Sequence, residues 1–106
     1  MMINLDFSEY SSKKSIITAI YNQMVNIKIF GVGSSRYNRI LQNLFKAKDL
    51  LAIPVLVEEI NDIDAIMAHN VDAIPSLMIN DNYYHNIDSH TVSELIGLIE
   101  DTSDNI

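Results

Sequence analysis

The chain reads as a single α/β domain: a mixed sheet of four or five strands with helices on both faces, in the order β-α-β-α-β-α-β-β-α. Three observations carry that expectation. Short apolar runs alternate with stretches whose apolar residues recur at the helical period. The last two runs are separated only by the turn-forming "NDN", so they form a hairpin. The length of 106 residues, 48% of them hydrophobic and 20% charged, suffices for one core and not for two.

Each element has its own signature. "MINLDF" alternates Ile3, Leu5 and Phe7, a period that fits a short strand or an extended arm. "SEYSSKKSIITAIYNQM" spaces Tyr10, Ile16, Ile17, Ile20, Tyr21 and Met24 for an amphipathic helix capped by Ser8. "NIKIFGVG" is a buried strand that stops at two glycines. From Ser34 to about Leu51, Tyr37, Ile40, Leu41, Leu44, Phe45 and the stem of Lys48 make one helical stripe.

"IPVLVEEI" has the continuous β-branched texture of a central parallel strand, with Pro54 at its start. "NDIDAIMAHNV" is a short helix entered through Asn61 or Asp62 and closed near His69 and Asn70. "SLMIN" and "YYHNI" are the hairpin strands. "TVSELIGLIEDT" opens on a Thr91 to Glu94 capping box and carries Leu95, Ile96, Leu98 and Ile99. The chain thus divides into an N-terminal βα unit over 1–26, a core over 27–101 and a frayed tail over 102–106.

Charge is unevenly spread. All seven basic residues lie before Asp49, against two acids there, and the other twelve acids follow with no Lys or Arg among them. The net charge of −7 argues against nonspecific binding to nucleic acid. No apolar stretch approaches the roughly 20 residues of a membrane span, and "MMINLDFSEY" lacks the basic and apolar regions of a signal peptide. A cytoplasmic protein with no membrane partner is the expectation.

There is no cysteine, which excludes disulfides, thiolate metal sites and thiol redox chemistry. His69, His85 and His90 have no spacing that suits a metal, and Glu58, Glu59, Asp62 and Asp64 match no cation loop. "GVGSSR" lacks the Lys-Ser/Thr ending of a phosphate loop.

Three stretches carry a family resemblance: "GVGSSRYNRILQN", "VLVEEINDIDAIMAHNVDAIPSLMIND" and "TVSELIGLI". Over about seven-tenths of its length, from Ile27 to about Glu100, the chain resembles the small, glutaredoxin-sized thioredoxin-like proteins. Those read strand, Gly-x-Gly-Cys-x-x-Cys, helix, strand, helix, then Thr-Pro before a strand ending in Ile-Asn-Gly. Here Ser34 and Tyr37 stand where the resemblance places the two cysteines, and Ser-Ser-Arg-Tyr replaces the redox motif. A serine hydroxyl is too weakly acidic for disulfide exchange, so a thiol-disulfide oxidoreductase is not expected.

The resemblance further implies a cis Ile74–Pro75 bond facing the Ser34 turn, with the backbone of Ile74 free to meet an extended ligand. Three functions follow as expectations. The first is a protein- or peptide-binding adaptor, with no enzymatic activity, whose groove is lined by Ser34, Ser35, Arg36, Tyr37, Ile74 and Pro75. The second is a glutathione-binding or transferase-like protein, with Ser34 bonded to the thiolate and Arg36 or Arg39 favouring its charge. The third is a structural subunit, a homodimer held by its oppositely charged halves. The bland reading of the same residues is a helix cap at Ser34 or Ser35 and a buried ring at Tyr37.

Overall fold

A computed structural model describes residues 24–104; the expected strand at "MINLDF" and the helix after it lie outside them. The described elements are β1 (Val25–Phe30), α1 (Ser35–Leu50), β2 (Val55–Ile60), α2 (Ile63–Ala68), β3 (Ser76–Ile79), β4 (Asn82–Tyr84) and α3 (Val92–Asp104). The strands form one mixed sheet in the order β2-β1-β3-β4. β1 runs parallel to β2 and antiparallel to β3, and β3 pairs antiparallel with β4. The α/β class and the mixed sheet are therefore as the sequence implies.

Alternation along β1 separates the two faces of the sheet. Val25, Ile27 and Ile29 join Val55, Leu77 and Ile79 on one face, where α1 contributes Tyr37, Ile40, Leu44 and Ala47 and α3 contributes Leu95 and Ile99. Phe30 points the other way and packs with Ile60 of β2 and Ile66 of α2. Helices thus cover both faces, with the larger core beneath α1 and α3. Each fully buried Ile or Leu of that core contributes about 1.5–3 kcal/mol.

Several boundaries differ from the sequence reading. Among the described residues β2 borders only β1, so it is an edge of this sheet, and its Leu56, Glu58 and Glu59 are exposed. β4 ends at Tyr84 rather than running through Ile87. Asn86, at φ 57°, turns the chain and sends Ile87 into the core. Along α1 the small Ala47 is buried while Phe45 is exposed, because Ala47 shares the helical face of Leu44 and Ile40. α3 continues through Asp104 into the segment expected to fray; the Thr102 hydroxyl is buried and donates to the Leu98 carbonyl at 2.9 Å.

Local chemistry sets the turns. Asn80 and Asp81 connect β3 to β4, and Asn80 takes φ 53°, which asparagine tolerates. Its side-chain carbonyl accepts from the Asn26 N–H at 2.9 Å, tying the hairpin to the start of β1. α3 opens on the expected box: Glu94 N–H donates to the Thr91 hydroxyl at 3.2 Å, and the Glu94 carboxylate accepts from the Thr91 N–H at 3.0 Å. That N–H, followed by the Thr91 hydroxyl, holds the Glu94 carboxyl below its ordinary range.

Candidate functional site

The strand register brings the candidate residues to one end of the sheet. Phe30, the last residue of β1, pairs with Ile60, the last of β2, and with Ser76, the first of β3. Three segments leave from that row: Gly31 to Ser34 into α1, Asn61 and Asp62 into α2, and Ile74 and Pro75 arriving at β3. Ile74–Pro75 is a cis peptide bond.

Of the two serines, Ser34 is the cap. It has extended backbone, its hydroxyl oxygen accepts from the Tyr37 N–H at 3.1 Å, and its carbonyl accepts from the Asn38 N–H at 2.9 Å. Ser35 is the first residue of the helix and is exposed. Gly33, at φ 80°, adopts the left-handed conformation that lets the chain turn into the cap. No acid lies in the first turn of α1, so the positive end of its dipole is not offset by a carboxylate there.

Tyr37 is only 2% exposed, and its ring lies against Gly31. A Cβ at position 31 would overlap that ring, so glycine is required by the close approach. The Tyr37 hydroxyl donates to a Glu59 carboxylate oxygen at 2.6 Å and accepts from the Asn61 side-chain amide at 2.9 Å. The same amide donates to the Gly31 carbonyl at 2.9 Å. Burial and then the Glu59 hydrogen bond push the Tyr37 hydroxyl up to about 12, so it stays neutral.

This clamp joins α1, the turn before it and the end of β2. Glu59 and Asn61 were not among the residues expected at the site. Asn61 looked like a helix cap, yet Asp62 is the cap of α2, its carboxylate accepting from the Ala65 N–H at 3.0 Å. Glu59 had a readable signal: alternation from Val55 and Val57 puts it on the α1 side of β2, in register with Ile29.

Arg36 is exposed and donates to Asp88, in the loop before α3, at 3.2 Å. The main-chain N–H of Asp88 and then the Arg36 guanidinium hold that carboxyl below its ordinary range. The Arg36 charge is thus engaged by the loop that leads into α3.

The opposite wall is different in character. Pro75 is buried, whereas Ile74 is 39% exposed, and Val32 in the turn across from it is also exposed. The neighbouring Ala73 carbonyl accepts from the Tyr83 hydroxyl, which also donates to Asp72. Among the described residues no donor or acceptor meets the main-chain N–H or carbonyl of Ile74. Behind this wall Ser76 is fully buried with its hydroxyl unpaired.

Among the described residues no group of three or more His, Asp or Glu converges as a metal site would require, and no helix is long and apolar enough to cross a membrane. Residues 25–99 match a family model described as a thioredoxin domain. This chain belongs to that thioredoxin-domain family. No curated protein and no solved structure matches it. With no cysteine in its sequence, this family member is a redox-inactive thioredoxin-like protein, lacking the thiolate that disulfide exchange requires.

Proposed function

We propose that the protein is a binding module that holds an extended segment of another protein along the wall formed by Val32, Ile74 and Pro75, without chemical reaction. The observation that carries this reading is the contrast in satisfaction at the site. On the α1 side the polar atoms of Ser34, Tyr37, Glu59 and Asn61 are engaged with one another or with the main chain. On the Ile74 side an exposed apolar side chain lies beside a main-chain N–H and carbonyl that meet no partner among the described residues. An extended peptide offers the complementary N–H and C=O groups, and its side chains add apolar contact.

Glutathione is the weaker reading. Arg36, the side chain expected to favour its charge, is directed to Asp88, and the Ser34 oxygen already accepts from the helix. Pairing between copies of this chain has no particular observation in its favour.

The test is a selection of displayed random heptapeptides against the intact protein and against an Ile74→Asp variant. Sequences enriched by the first and lost with the second support the groove. Because Ile74 is partly exposed and outside the core clusters, Ile74→Asp is expected to change stability by no more than about 0.5 kcal/mol. Equal enrichment by both proteins would contradict the proposal.

A further inference from the structure

The surroundings of the Ile74 wall bear on what its occupant must be. Apolar exposure there is not confined to Val32 and Ile74. Ile63 and Met67, one turn apart on α2, are exposed as well. Their placement follows from the register: Val32 lies two residues after Phe30, Ile63 three after Ile60, and Ile74 two before Ser76, and Phe30 pairs with Ile60 on one side and with Ser76 on the other. The Asn61 bond to the Gly31 carbonyl draws the start of α2 against the turn that carries Val32.

Among the described residues, the charges on the segments that bound this apolar surface are of one sign. Asp62 and Asp64 lie at the entrance of α2, Asp72 lies in the loop before Ile74, and Glu58 and Glu59 lie at the end of β2; all five are exposed. No Lys or Arg occurs anywhere after Lys48. Arg36, two residues after the Ser34 cap, is paired with Asp88. Lys28 is the register partner of Glu58, two residues back from the strand ends, and makes no ion pair with it.

An apolar surface with an acidic rim selects against an acidic ligand and attracts a basic one. We propose that the partner is an extended segment with Lys or Arg set between apolar residues. Its apolar side chains lie on Val32, Ile63 and Ile74, and its charges lie toward Asp62, Asp64 and Asp72. This inference rests on the groove reading above and adds the chemistry of the occupant. It also accounts for the one-sided distribution of basic residues: a cation in this rim would repel the segment it has to receive.

Two blocked nonapeptides test it, identical in their Leu and Val residues and carrying three Lys in one and three Glu in the other. Each is titrated into the ¹⁵N-labelled protein at low and high salt. The Lys peptide is expected to shift the amides of Val32, Ile63 and Ile74 and to bind at least about tenfold more tightly than the Glu peptide. That preference should shrink as salt rises. The triple variant Asp62→Asn, Asp64→Asn, Asp72→Asn retains the cap and the acceptor for Tyr83 and should remove most of the preference. Should it fail to fold, the salt dependence of the unaltered protein decides alone.

Equal affinity of both peptides at the same amides would overturn the cationic partner while leaving the groove standing. If the Lys peptide produced no shift at these residues, while the displayed peptides still depended on Ile74, the cationic partner would again be wrong and the groove right. Loss of both signals would remove the groove reading itself.

Discussion

The two walls that meet at the end of β1 have opposite characters. The α1 wall is closed on itself: Ser34 caps its helix, Tyr37 is buried against Gly31, and Glu59 and Asn61 complete a hydrogen-bonded clamp around the phenol. The Ile74 wall is open, with exposed apolar side chains and main-chain groups that meet no partner among the described residues. A thioredoxin domain without cysteine has thus placed a structural lock where the resemblance puts the reactive cysteines, while Ile74 and Val32 stay exposed. Substitutions on the first wall should therefore cost stability, and those on the second should cost binding.

The largest expected effect is on the clamp. Tyr37→Ala removes a buried ring and two hydrogen-bond partners, and should lower unfolding free energy by about 3–5 kcal/mol in urea titrations. Gly31→Ala drives a methyl group into the same ring and should cost about 1–3 kcal/mol. Much of that cost should vanish in the double variant, where the ring is gone. Additive losses would mean that Gly31 is required for another reason.

Tyr37→Phe keeps the ring and deletes the hydroxyl, for an expected loss of about 1–2 kcal/mol at neutral pH. It also carries a pH signature. The phenol is held near 12 in the folded protein against 10.0 ordinarily, so the unfolded chain loses its proton first. The extra stability is complete below pH 10 and declines as the pH rises toward 12, by on the order of 2 kcal/mol. Thermal melts of the parent and of Tyr37→Phe should converge over that interval; parallel curves would show that the hydroxyl is not held as described.

The Ser34 cap ranks next. Ser34→Ala should cost about 1 kcal/mol. Ser34→Cys places a thiol at a helix N-terminus with no acid in its first turn, and titration of its thiolate absorbance should give a pKa below the ordinary value of about 8.5. A thiol at or above that value would mean that the helix end no longer favours negative charge. Asp88→Asn should have the smallest effect, within the error of a melt, because its ion pair with Arg36 is largely exposed to solvent.

Much of this molecule was legible in the sequence, because its elements are locally signed. The Ser34 cap, the Thr91 to Glu94 box, the Asn80 turn and the stripe through Ile40 and Leu44 all rest on contacts a few residues apart. What was missed depends on register and on contacts distant in sequence. Tyr37 and Glu59 are 22 residues apart, and only the pairing of Ile29 with Glu59 puts that carboxylate beneath α1. Asn61 stood beside a better cap, which hid its bond to Gly31. Ala47 is hard to read because a helical stripe is marked by large side chains, and the end of β4 is hard to read because Asn86 turns the chain inside an otherwise strand-like run.

The most direct measurement is a parallel titration of the ¹⁵N-labelled protein with glutathione and with a peptide selected on the Ile74 wall. The peptide should shift the amides from Val32 to Tyr37 and from Ile74 to Ser76 saturably, while glutathione leaves them in place at millimolar concentration. Saturable shifts with glutathione at those amides, and none with the peptide, would contradict a binding module and point to a small-molecule site instead.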